Sequence, residues 1–187
     1  ETKNYNINSE MLGYQRHYNL MVDGNGTYKM PFTITKPESY KEFNFTLSKE
    51  EFNKITDFAF QILDENGKAV NKDGLSYRTG SITADFSGEK DTAKYVLEII
   101  PAFVNKELNT SLSVNEITYF SAPVSVDAMN SAKTSLTLYP NNIKYIDLNF
   151  SRPEITIPAD ANYYGKIYFK SPSTGKTEYE LPINFKF

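Results

Sequence analysis

Apolar and polar residues alternate in short runs along most of the chain, and turn-forming residues separate the runs. Phe58, Phe60 and Ile62 recur at every second position of Asp57–Leu63, the period of a half-buried strand, and Asp64-Glu65-Asn66-Gly67 supplies the turn that ends it. The same pattern predicts strands at His17–Val22, Thr27–Thr35, Phe43–Leu47, Ser81–Phe86, Lys94–Pro101 and Ser111–Phe120. Shorter runs are expected at Ala69-Val70 and Leu75–Arg78. Asp23-Gly24-Asn25-Gly26 reads as a hairpin turn, and Pro31 marks its partner strand as an edge or a bulge. Residues 1–13 are polar with scattered apolar positions, the pattern of a loose arm or a first edge strand.

One helix is expected. Ser48-Lys49-Glu50-Glu51 is a capping box, and Leu47 and Phe52 stand at the positions of a hydrophobic staple, so a short helix is predicted near residues 49–55. Ser121-Ala122-Pro123 interrupts the strand pattern and is the expected domain boundary. Beyond it strands are expected at Val124–Val126, Ser135–Tyr139, Tyr145–Phe150, Glu154–Ile157, Tyr163–Lys170 and Glu178–Phe187. Strands at this spacing without intervening helices predict an all-β chain of two consecutive antiparallel β-sandwiches. Residues 1–120 would form a jelly-roll-like sandwich and residues 124–187 a small immunoglobulin- or fibronectin-like one.

Composition narrows the function classes. The 187 residues include no cysteine, so neither disulfides nor a thiol nucleophile can be built. Lys and Arg number 20 against 23 Asp and Glu, and neither half is a basic surface of the kind nucleic acid needs. No run approaches the roughly 18 apolar residues of a membrane-spanning helix, so no transmembrane segment is expected. The chain begins at Glu1 rather than Met, as a processed form or an excised piece would.

Candidate chemistry is sparse. His17 is the only histidine, so two-histidine zinc motifs are excluded within one chain, and any Ser-His-Asp triad would have to use it. A surface position suits it as well. Aspartates and glutamates are numerous enough for a glycosidase pair, yet nothing in the pattern singles one out. Asp64, Asn66 and Asp73 offer the oxygen donors calcium takes, although Asx turns with Gly account for these loops without a metal. Tyr164 and Tyr168 share one face of their strand and Tyr163 the other, so the first two are candidate ligand-stacking residues, with sheet packing as the plain reading. Asn25, Asn44, Asn109 and Asn149 each head an Asn-x-Ser/Thr sequence, which matters only in a host that glycosylates.

Asp57–Val70 followed by Tyr95-x-Leu97-x-Ile99 resembles the bacterial pre-peptidase C-terminal type of jelly roll. Ile157-Pro158-Ala159 ahead of Tyr163-x-Gly165-x-Ile167, closing with Leu181–Phe185, looks like the terminal immunoglobulin- or fibronectin-like module of secreted subtilisin-like peptidases. The resemblance implies a non-enzymatic accessory region of a larger, secreted or cell-surface bacterial protein, with the catalytic domain of that polypeptide as partner and protein or polysaccharide as possible substrate. No catalytic residue carries over, because the subtilisin Asp, His and Ser motifs are missing. No cofactor is expected beyond calcium in the loops named above. The alternative expectation is a carbohydrate- or cell-surface-binding module using exposed Tyr and a calcium-bound loop.

Overall fold

The alternating runs do form strands. The computed structural model describes residues 1–86, 90–124, 126–128, 135–151 and 158–185. Its elements in chain order are β1 (Lys3–Asp23), β2 (Tyr28–Thr35), β3 (Glu38–Thr46), α1 (Lys49–Phe52), β4 (Ile55–Leu63), β5 (Ala69–Gly74), β6 (Thr79–Asp85) and β7 (Thr92–Phe103). There follow β8 (Asn109–Val124), β9 (Val126–Ala128), β10 (Ser135–Leu138), β11 (Leu148–Phe150), β12 (Asn162–Lys170) and β13 (Thr177–Phe185). Packing groups them into a central unit, Gln15–Tyr119, and a terminal unit made of Glu1–Tyr14 with Phe120–Phe187.

In the central unit one sheet runs in the order β1-β8-β3-β6 and the other β2-β7-β4-β5. Partners nest, first with eighth, second with seventh, third with sixth and fourth with fifth, as in one long antiparallel ribbon rolled into two sheets. This is the jelly-roll arrangement. Its core draws on every strand but β5: Val22, Ile34, Phe43, Phe45, Phe60, Ile62, Ile82, Leu97, Ile99, Leu112 and Val114 are buried together. Phe60 pairs with Ile99 across β4 and β7, and its ring stacks on Phe45 of the facing sheet at 4.2 Å between centroids. Each such side chain contributes about 1.5–3 kcal/mol by leaving water.

Turn chemistry closes the ribbon. Asp23 Oδ1 accepts from Asn25 N at 3.0 Å in the β1–β2 turn. Asp64 Oδ1 accepts from Asn66 N and Lys68 N, both at 2.9 Å, and Gly67 takes φ +76°. Ser48 accepts from Glu51 N and caps α1 as the capping box predicts. The helix stops at Phe52, shorter than expected, because Ile55 already pairs with Phe103 in β4 and β7. Pro31 lies in β2, an edge of its sheet, where a missing N–H costs no ladder bond.

The terminal unit has β13-β12-β1-β8 in sequence, with β10 on β1, and a two-stranded β11-β9 sheet. Met11, Tyr14, Phe120, Ala122, Val124, Tyr163 and Phe185 form one apolar cluster, and Tyr5, Ile7, Val126, Leu136 and Ile167 another. Residues 3–13 are thus neither a loose arm nor an edge; they belong to a strand between β12 and β8. The expected boundary at residues 121–123 falls inside β8, where Ala122 is buried. Leu75–Arg78 holds a turn rather than a strand, with Ser76 and Thr79 exchanging backbone bonds around Tyr77 and Arg78. The expected strand Glu154–Ile157 lies outside the described residues apart from its flanks.

β1 and β8 run through both units. In β8 the even positions from Thr110 to Val124 are all buried. In β1 the buried positions are odd from Tyr5 to Gly13, then even at Tyr14 and Val22. β8 keeps one phase along its whole length, so the one-residue change belongs to β1 alone, as an extra residue in one strand produces.

Candidate functional site

Midway along the inward row of β8, between Val114 and Phe120, stand two polar residues, Glu116 and Thr118. The inward row of β3 places Lys41 beside them. Lys41 Nζ donates to Glu116 Oε1 at 3.0 Å and to Thr118 Oγ1 at 2.6 Å, and the two charged side chains are 5% and 6% exposed. Tyr18 Oη donates to Glu116 Oε2 at 3.0 Å, while Arg16 Nη1 lies 3.7 Å from the same oxygen. Burial, reinforced by the carboxylate, pushes the Tyr18 phenol well above its ordinary range. Lys41, Tyr18 and Arg16 thus engage both oxygens of Glu116, and Thr118 accepts a second bond from Lys41, the condition a buried ion pair must meet. Both carboxylate oxygens are spent on fixed partners, so the cluster holds β1, β3 and β8 in register.

The outward side of the same sheet differs in chemistry. Its positions are the odd residues 15–21 of β1, 111–119 of β8 and 79–85 of β6, and the even residues 40–46 of β3. Ten of these seventeen are Ser, Thr, Asn or Gln, and none is Lys or Arg although the chain carries 20. Tyr40 and Tyr119 stack there, 4.2 Å between centroids and 15° from parallel. Tyr119 Oη donates to Glu42 Oε2 at 3.1 Å. Asn115 Oδ1 is buried without a hydrogen-bond partner, which costs about 1–3 kcal/mol.

The residues singled out from sequence fall elsewhere. Asp64 and Asn66 sit in the β4–β5 turn, where the Asp64 carboxylate is engaged by the turn's own amides. Asp73 lies in β5 opposite Phe60, with its Oδ1 accepting from Gly74 N at 2.8 Å. Among the described residues no three His, Asp or Glu side chains gather as a metal site would require. Tyr164 and Tyr168 do share the less buried side of β12, with Tyr163 on the buried side. Tyr168 is half-buried and donates to Glu10 Oε2 at 2.9 Å, and burial with that bond pushes its phenol up to about 12. Ser121 Oγ donates to the other Glu10 oxygen, so this carboxylate too is engaged within the sheet. His17 is an exposed outward residue of β1.

Sequence reasoning did not single out Lys41, Glu116, Tyr40 or Tyr119. A charged residue at an inward position of an alternating strand, Glu116 in the row of Leu112 and Val114 or Lys41 between Phe43 and Ser39, was the available signal. No protein-family model matches the chain, and no curated protein matches it.

Proposed function

We propose that the chain is a non-catalytic accessory region of a larger exported bacterial protein, with a subtilisin-like serine peptidase as the parent, and that it stabilises or targets the catalytic domain. The observation that carries this reading is the use made of the buried charges. Lys41 and Glu116 are spent on each other and on Thr118, Tyr18 and Arg16, an arrangement that favours a rigid scaffold over proton transfer to a substrate. The resemblance of Asp57–Val70 with Tyr95–Ile100, and of Ile157–Phe169 with Leu181–Phe185, supports the peptidase parent.

The test is the coding sequence on either side of residues 1–187, followed by deletion of the region from the intact protein. Adjacent Asp, His and Ser peptidase motifs, and a catalytic half-life that shortens several-fold on deletion with kcat intact, are the expected results. Flanking sequence without a catalytic domain, or a deletion that leaves half-life and localisation unchanged, would overturn it.

A further inference from the structure

We infer that the outward side of the β1-β8-β3-β6 sheet is a binding face for a neutral glycan. Three observations converge on it. The face excludes Lys and Arg from all seventeen outward positions, carries only Glu42 and Asp85 as carboxylates, and is dominated by hydroxyl and amide side chains, so it offers paired donors and acceptors with no cation to be desolvated. The outward side of the other sheet follows ordinary surface chemistry: Lys29 pairs with Glu98 there, and Glu98 also takes the Gln61 amide. The contrast lies between two faces of one jelly roll.

The second observation is the Tyr40–Tyr119 stack. Aromatic rings on the solvent side of a sheet present both an apolar face, which suits the C–H side of a sugar ring, and a phenol. Glu42, oriented by the Tyr119 phenol, keeps further lone pairs to accept from vicinal hydroxyls. The third is the pair of amides, Asn44 and Asn115, on the same outward side of β3 and β8. Asn44 stands four residues beyond Tyr40 and Asn115 four before Tyr119; in antiparallel strands these steps run in the same direction, so the two amides follow the tyrosine pair along one line. A polysaccharide, extended and uncharged, fits that line of rings followed by amides. The inference is independent of what the region is attached to.

Affinity electrophoresis of the full 187-residue chain tests it. The native gels would contain a β-glucan, a galactomannan or a soluble α-glucan, and in parallel polygalacturonate or heparin. At least one neutral polysaccharide should retard the chain. Asn44→Ala and Tyr40→Ala should each weaken that retardation by about tenfold, the loss of one hydrogen-bonding or stacking contact, while Tyr168→Phe leaves it unchanged. Glu42→Gln gives a second reading should Tyr40→Ala prove unstable, and circular dichroism checks that each variant folds. Retardation by none of the neutral polymers would mean a merely solvated sheet surface. Stronger retardation by the charged polymers, or folded variants that bind like the original, would equally overturn the inference.

Discussion

The buried pair Lys41 and Glu116 offers the sharpest test of the central unit. Each removes a charge from water, and each depends on the other at 3.0 Å. Glu116→Leu takes from Lys41 its carboxylate and from Tyr18 and Arg16 their shared acceptor. Stranding a buried ammonium in this way costs about 3–5 kcal/mol. Lys41→Met should cost less, about 2–3 kcal/mol, because Tyr18 and Arg16 still hold Glu116 Oε2. The double variant strands neither charge and places one apolar side chain on the inward row of β8 and one on that of β3, so it should lie within about 1 kcal/mol of the original. The cycle therefore predicts a coupling of at least about 4 kcal/mol. In urea unfolding followed by circular dichroism, with a slope of about 2 kcal/mol per molar, Glu116→Leu should lower the midpoint by about 2 M and the double variant should restore it. Additive losses, with the double variant the least stable of all, would show that the pair is not a coupled network and would refute the reasoning.

Three further expectations are open to direct measurement. Gly165→Ala should destabilise the terminal unit by several kcal/mol, read as a lowered Tm, because its Cβ would collide with the Glu10 backbone carbonyl and approach the Phe185 ring to 2.9 Å. Replacing Tyr77-Arg78 by Asn-Gly should stabilise the β5–β6 connection by about 1–2 kcal/mol, since both residues take positive φ, 51° and 74°, in a two-residue turn closed by Ser76 and Thr79, and Tyr77 is 92% exposed; an unchanged or lowered Tm would contradict the strain argument. Bonds from Thr110 Oγ1 at 2.6 Å, from Lys54 Nζ at 2.9 Å and from Ser111 N at 3.0 Å hold the Glu51 carboxyl below its ordinary range. The unfolded chain therefore binds this proton more tightly than the folded one, so the stabilisation is complete above the ordinary carboxylate range of about 4 and is lost as pH falls below it. Glu51→Gln should flatten the acid limb of a Tm-against-pH curve below the ordinary carboxylate range of about 4, and an unaltered limb would exclude Glu51 as its source.

Period-two alternation determined the strands, because burial on one side of a sheet leaves a mark at every second residue. Phe58-Phe60-Ile62 and Tyr95-Leu97-Ile99 are legible on that ground alone, as are the capping box at Ser48 and the Asp-Gly turns at residues 23–26 and 64–67. The all-β class follows from those local signals. What the alternation does not carry is which strand lies beside which. Only the tertiary structure placed residues 3–14 with the C-terminal segment, continued β8 through Pro123, and set Lys41 against Glu116 across 75 positions of chain. The same holds for the outward face: Tyr40 and Tyr119 are far apart in sequence and become neighbours only because the third strand of the roll pairs with the eighth. Local pattern records whether a side chain is buried, and long-range pairing decides what it meets.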